Sequence, residues 1–188
     1  MKILAFSASN SSQSINRMLV HHAADVLRSE LMPEAEIETL DLSDYEMPIY
    51  SMDREVADGI PELARQFRAR IAQADALLIS FAEHNGHYTA AYKNIFDWAS
   101  RLEGKVYAGK PMVALSASPG PGGAASVLAA AKTSAPYFGS EIRGSLGVAN
   151  FGTAFDAQAG VLTDPELARS LREALGGLTT QMAEPVSA

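Results

Sequence analysis

Apolar runs of strand length alternate with amphipathic helical stretches from one end of the chain to the other. "KILAF" (Lys2 to Phe6) lacks the apolar–polar alternation of a half-exposed strand and predicts one buried on both faces. From Ser14, Met18, Leu19, Ala23, Val26 and Leu27 recur at three- and four-residue intervals, the inner stripe of a helix. "AEIETLDL" alternates Ile37, Thr39 and Asp41 against Glu38, Leu40 and Leu42, which predicts a second, less sharply marked strand. The connection "SDYEMPIYSMDREVADGIP" that follows is long, and such loops usually serve function or an interface. Ile60, Leu63, Ala64, Phe67 and Ile71 then mark a second helix.

"ALLISF" (Ala76 to Phe81) is a third buried run and ends at "AEHNGHYT". The next helix turns Ala91, Ile95, Phe96, Ala99 and Leu102 inward. "PMVALSA" predicts a fourth strand ending in "SPGPGG", and Val127, Leu128, Ala131 and Ala135 continue as a helix. "GSLGVANF" predicts the fifth strand. In the last helix Thr163 and Glu166 have capping-box spacing, Pro165 falls in the first turn, and Leu167, Leu171, Leu175 and Leu178 face inward.

Five strands separated by helices predict an α/β fold, a doubly wound parallel sheet with helices on both faces. The chain has 188 residues, 47% of them hydrophobic, which suits one domain with a full core. Its expected extent is residues 1–183, with 184–188 as a short tail. Ligands of such sheets bind beyond the carboxyl ends of the strands. Three segments leave such ends: Ser7–Asn16, Ala82–Thr89 and Ser116–Gly123.

Charge and composition narrow the class. A net charge of -7 argues against nucleic acid, whose partners need clustered Lys and Arg. There is no cysteine, which excludes disulfides, Cys-ligated zinc and thiolate catalysis. No basic-then-apolar leader precedes the first strand pattern, and the most apolar run is far shorter than a membrane span of roughly 20 residues. The expectation is a cytoplasmic protein with small-molecule substrates and no membrane or nucleic-acid partner.

The first segment, "SASNSSQSIN", places small hydroxyls and amides between a buried strand and a helix start. Helix N-termini offer unpaired N–H groups and a positive dipole end, which favour an anion such as phosphate. Ser9, Ser11, Ser14 and Asn16 would add donors; alternatively Ser14 is an N-cap and its neighbours are ordinary loop residues. The triphosphatase loop pattern is absent, and the dinucleotide fingerprint does not follow the first strand. "GPGGAA", from Gly120, matches that fingerprint by itself but follows the fourth strand, and Glu141, at the spacing of the ribose acid, is expected in a connection. These glycines read better as permitting close backbone approach to a flat ligand.

Together these residues carry a resemblance. "SASNSSQSIN" resembles the first loop of the NADPH-dependent FMN reductase family, G-S-L-R-x-x-S-x-N. "AEHNGHYTAAYKNIFDWASR" is similar to its second signature, P-E-Y-N-x-S-x-P-x-x-L-K-N-x-I-D-W-x-S-R, and "SPGPGG" resembles its third flavin loop. The resemblance implies a flavodoxin-like fold, FMN as cofactor, NAD(P)H as co-substrate, and a homodimer or homotetramer. It implies FMN contacts from Ser9, Ser11, Ser14, Ile15 and Asn16, with Ser9, Ser14 and Asn16 on the phosphate. Ala82, Glu83, His84 and Asn85 would follow in the second loop, with Glu83 and Asn85 along the isoalloxazine ring. Ser118, Pro119, Gly120 and Gly123 would lie on the other side of the ring. Four departures stand out: Ser11 replaces the loop Arg, His84 the Tyr, His87 a Ser and Thr89 a Pro.

The resemblance implies an oxidoreductase passing a hydride from NAD(P)H through FMN to free flavin, quinone or a similar small acceptor. The alternatives are a flavodoxin-type electron carrier and a flavin-binding relative with little reductase activity. No residue is certain as a catalyst, since such chemistry belongs largely to the cofactor. His84 is the candidate, because an imidazole beside the ring changes charge near neutral pH. His84 and His87 lie three apart, but with Glu83 as the only adjacent carboxylate no metal is expected. A hydrolase triad is not expected either, for want of a G-x-S-x-G elbow. Trp98 reads as a packing or subunit-contact residue.

Overall fold

The computed structural model describes residues 1–179. The expected domain end at 183 and the tail 184–188 lie outside the described residues. Strands β1 (Lys2–Ser7), β2 (Glu36–Leu40), β3 (Ala76–Phe81), β6 (Lys110–Ala117) and β7 (Ser140–Val148) form one sheet in the order β2-β1-β3-β6-β7. Every neighbouring pair is parallel. The doubly wound, flavodoxin-like sheet follows from the pattern. β3 and all but the first residue of β6 are buried throughout, because helices cover both faces.

The pleat divides β1 between two cores. Ile3 and Ala5 pack with Leu19, Val20 and Ala23 of α1 (Ile15–Val26) and Leu171 and Leu175 of α7 (Pro165–Gly176). Leu4 and Phe6 pack on the other face with Phe67 and Ile71 of α3 (Glu62–Gln73), Ile95 of α4 (Ala90–Ala99) and Val127 and Ala131 of α5 (Ala125–Ser134). At Gly144 a Cβ would stand 2.0 Å from the Ala174 carbonyl oxygen. Only a residue without one lets α7 close on β7 here.

Several elements depart from the pattern. Met18 belongs to the exposed side of α1, at 38% exposure, while Val20 and Ala24 are buried. In α4 Ala91 and Phe96 are only partly buried, as is Leu102 just beyond its end, and Tyr92 and Trp98 carry the inner face with Ile95 and Ala99. The last helix is capped by Asp164, not Thr163: its side chain accepts from the Glu166 and Leu167 amides. The fifth strand begins four residues earlier than expected. Glu141 is therefore its second residue, at the amino end of the sheet and remote from the carboxyl-end loops. The long connection is partly ordered as a 3-10 turn at Leu42–Tyr45 and α2 (Met52–Asp58), which buries no residue.

The sequence pattern does not mark five short elements. β4 (Glu83–His84) and β5 (His87–Tyr88) form an antiparallel hairpin in the second loop. After β7 come α6 (Phe151–Ala154) and a hairpin of β8 (Phe155–Asp156) and β9 (Val161–Leu162). Phe151 and Phe155 stack with centroids 4.6 Å apart and fill the core beside α1, with His22 edge-on to Phe155.

Candidate functional site

Side chains at the carboxyl ends of β1, β3 and β6 stitch the three loops together. Asn16, in the first turn of α1, is buried against the sheet. Its Oδ1 accepts from the Ser80 hydroxyl at 2.8 Å and the Ala117 amide at 2.9 Å, and its Nδ2 donates to the Ala117 carbonyl at 3.2 Å. One amide thus ties the first loop to the ends of β3 and β6. The Ala8 amide donates to the Ser80 carbonyl at 2.9 Å, and the Thr89 hydroxyl donates to the Ala8 carbonyl at 2.9 Å. Thr89 also caps α4 by accepting from the Tyr92 amide. The first two loops are therefore cross-braced before any ligand is considered.

The serine loop folds on its own polar groups. The Ser9 hydroxyl accepts from the Ser11 amide, the Ser11 hydroxyl from the Gln13 amide, and the Ser14 hydroxyl lies 3.4 Å from that of Ser7. Ser14 stands at the N-cap position of α1, yet its side chain makes no capping bond. No carboxylate occupies the first turn of that helix. The amides of Ile15 and Asn16 thus begin a twelve-residue helix whose positive end is not offset from within that turn. Ser9 and Ser14 are buried, whereas Ser11 is exposed.

In the second loop the hairpin turns at Asn85 and Gly86, both at positive φ, the backbone that an Asn-Gly pair adopts most easily. Glu83 pairs across the hairpin with Tyr88, and His84 with His87. The Glu83 carboxylate accepts from the Val127 amide at 2.8 Å, in the first turn of α5, whose own N-cap is Ala124. Tyr88 shares a hydrogen bond with Ser134 at the far end of that helix, and burial raises its phenol above the ordinary value. Glu83 and Tyr88 fix the inner face of the hairpin to α5, leaving His84, Asn85 and His87 exposed. Among the described residues no group of three or more potential metal ligands assembles here or elsewhere.

The third loop is held by backbone. Ser118 and Gly120 accept from the Phe151 and Asn150 amides, and the Ser118 amide donates to Val148. The Ser116 hydroxyl donates to the Gly123 carbonyl at 2.7 Å. A Cβ on Gly147 would stand 2.9 Å from that carbonyl oxygen, so β7 and the loop touch backbone to backbone. Pro119 is exposed, and a Cβ on Gly120 or Gly122 would meet nothing within 4 Å. This wall of the site is open enough for a flat ring to approach the main chain.

The sequence pattern does not single out Ser80, Ser116 or Tyr88, and it marks Thr89 only as a departure from the family's Pro. The first two had a signal: each is a single hydroxyl near the end of an otherwise apolar strand, fully buried. Trp98 is a packing residue, buried, with its indole N–H donating to the Pro48 carbonyl at 2.8 Å.

Residues 1–151 match the sequence profile described as NADPH-dependent FMN reductase. The chain belongs to that family. It is 35% identical over 123 residues to an NADPH:quinone oxidoreductase of Arabidopsis thaliana, covering 65% of this chain and 61% of the relative. It is 36% identical over 120 residues to an NAD(P)H-dependent FMN reductase of Pseudomonas aeruginosa, covering 64% and 61%. The match thus spans about three fifths of these relatives' length. Among solved structures it resembles the flavoenzyme NAD(P)H:(acceptor) oxidoreductase FerB of Paracoccus denitrificans, with TM-score 0.73 and 26% identity over 95% of this chain and 94% of that one. The flavin named in the family's description is FMN. The residues here fit it: an unoffset helix start with hydroxyls for the phosphate, and an open glycine wall for the ring.

Proposed function

We propose that this chain is an FMN-dependent oxidoreductase that passes a hydride from NAD(P)H to free flavin, a quinone or a similar small acceptor. The observation that carries the reading is the cross-bracing of the three carboxyl-end loops around the unoffset start of α1. The bound flavin supplies the redox chemistry, and the protein's task is to hold and orient it. Asn16, Ser80 and Thr89 set the loop spacing, and the Ile15 and Asn16 amides with Ser9, Ser11 and Ser14 receive the phosphate. The glycines at 120 and 123, with Ser118 and Pro119, face the ring from one side. Ala82, Glu83, His84 and Asn85 approach it from the other. Glu83 acts through its carboxylate cap on α5, and His84 is the exposed imidazole of the second loop.

A terminal phosphate suits a closed serine loop better than a bridging pyrophosphate, so FMN is expected to bind in preference to FAD. The test is the visible spectrum of the protein loaded with FMN, followed by anaerobic addition of NADPH and then of a quinone. Bleaching by NADPH and recovery with the quinone support the reading. A flavin that stays oxidised with NADPH but accepts electrons from a protein donor would establish the electron carrier instead. Relatives named as quinone oxidoreductases and FMN reductases favour the first outcome. The same reading has the chain working in the cytoplasm as a homodimer or homotetramer. No helix among the described residues is long and apolar enough to cross a membrane.

A further inference from the structure

We propose that the cavity beside the serine loop seats the adenosine ribose of the hydride donor, and that Glu46 selects NADH over NADPH there. The inference rests on the oxidoreductase reading above and names the donor that reading leaves open. The cavity, about 290 Å³, lies between Asn10 of the first loop, residues 42–49 and the start of α4 at Ala90 and Ala91. These walls follow the carboxyl ends of β1, β2 and β3, the last by way of the hairpin, where sheets of this kind take ligands. The cavity shares a wall with the cofactor loops. Asn10 stands between Ser9 and Ser11, and Ala90 follows Thr89, whose hydroxyl donates to the Ala8 carbonyl. Sites for drug-sized ligands start at about 300 Å³, so this one suits a single nucleoside rather than a whole dinucleotide.

The polar groups lining the cavity decide what it can hold. The Asn94 amide is spent on Met47, Pro48 and Tyr50, and the Ser43 hydroxyl donates to Asp41. Among the described residues the side chains of Asn10, Tyr45 and Glu46 make no hydrogen bond or ion pair. Tyr45 is set by its ring, edge-on to Phe67 with centroids 5.7 Å apart. Burial and the Asp44 charge raise its phenol, which stays protonated and able to donate. No lysine or arginine lines the cavity, and Arg17, which reaches the start of this segment, is ion-paired with Asp41. A carboxylate offers two oxygens to the two hydroxyls of a ribose cis-diol, and the phenol and amide complete the polar shell. An acid at the ribose marks sites for NADH, whereas a 2′-phosphate calls for a cation. Glu46 sets a like charge against that phosphate with nothing to offset it. This preference runs against the NADPH of the family's description and belongs to these residues.

The test uses the FMN-loaded protein and two readouts. Anaerobic bleaching by NADH and by NADPH gives kcat/KM for each donor. Calorimetric titration with ADP-ribose and with 2′-phospho-ADP-ribose, which carry no nicotinamide, reads the cavity without redox chemistry. NADH is expected to exceed NADPH about tenfold, and ADP-ribose to bind more tightly than its 2′-phosphate by a similar factor. Glu46→Gln should bring both ratios close to one, and Glu46→Arg should invert them. Glu34→Gln removes a carboxylate before β2, at the opposite end of the sheet, and should leave both ratios unchanged, which separates a local effect from net charge. Tyr45→Phe keeps the ring packing and should weaken both probes alike, about threefold to tenfold. A wild-type preference for NADPH, or ratios that Glu46→Gln does not move, would overturn the proposal. An FMN-loaded protein that neither donor reduces would instead remove the oxidoreductase reading beneath it, and the ADP-ribose titration would still report on the cavity.

Discussion

Asn16 shows what a residue type reveals before its partners are known. An amide at a helix start reads as a donor to an anion, yet here its side chain is spent on Ser80 and Ala117. On the proposed reading only its backbone N–H remains for the phosphate. Truncation to Ala leaves a buried hydroxyl and both polar groups of a strand end without their partners. Each such group costs about 1–3 kcal/mol. Asn16→Ala should therefore destabilise the fold by about 3–5 kcal/mol, the lower part of that sum, read as a lowered urea midpoint at unchanged slope. It should also loosen FMN, because the spacing of the first and third loops depends on this bridge. An unchanged midpoint would show that water replaces the side chain. The sequence marks Asn16 as special but not as a strut, because its partners lie 64 and 101 positions away. Thr89 is similar. Its departure from the family's Pro is visible in the sequence, whereas its two jobs, capping α4 and bracing Ala8, appear only with the chain folded.

At the scale of elements, the long alternating runs were legible because sheet and helix burial impose their own periods. The hairpin Glu83–Tyr88 was not, although "NG" is a strong turn signal, because strands of two residues leave no alternation to read. Its role is to bring a carboxylate to α5. Glu83→Ala should cost about 1 kcal/mol through the lost cap and dipole contact, measured by chemical unfolding, while Glu83→Gln, which still accepts, should cost less. A larger loss for Gln than for Ala would contradict the cap. The packing of the β8–β9 hairpin on α1 yields a pH dependence. Burial is the main cause lowering the His22 pKa below 6.5; Arg172 lowers it further, and Asp25 and Glu30 oppose. The folded state therefore binds this proton less readily than the unfolded chain, and stability falls as pH drops below about 6.5. His22→Phe, which keeps the edge contact with Phe155, should flatten that slope in thermal melts between pH 5 and 7. An identical slope in the variant would assign the dependence to other groups.

Among the described residues, the segment between β2 and α3 presents apolar side chains that the core does not explain. The chain between β2 and α3 is strapped onto α4: Asn94 receives the Tyr50 amide and donates to the Met47 and Pro48 carbonyls. Tyr50 lies edge-on to Trp98, and Glu55 receives both the Tyr50 hydroxyl and the Arg101 guanidinium. Of the apolar residues in this segment, Met47 and Tyr50 turn inward to that seam. Ile49, Met52 and Val56 turn outward, at 75%, 67% and 82% exposure. A polar clasp that fixes a strap so its apolar residues face solvent is a costly arrangement for an isolated chain. It is an ordinary one for a subunit whose face is covered by a second copy, where the buried patch carries the interface and the rim stays polar. Since α2 buries no residue of its own, its outer side chains can be changed without touching the core. Met52→Glu combined with Val56→Glu should therefore leave the melting temperature of the isolated subunit nearly unchanged while converting the oligomer to monomer. Thermal melts read the first outcome and sedimentation at micromolar concentration reads the second. A wild-type protein that sediments as a monomer, or a double variant that still associates, would place the subunit contact elsewhere or remove it.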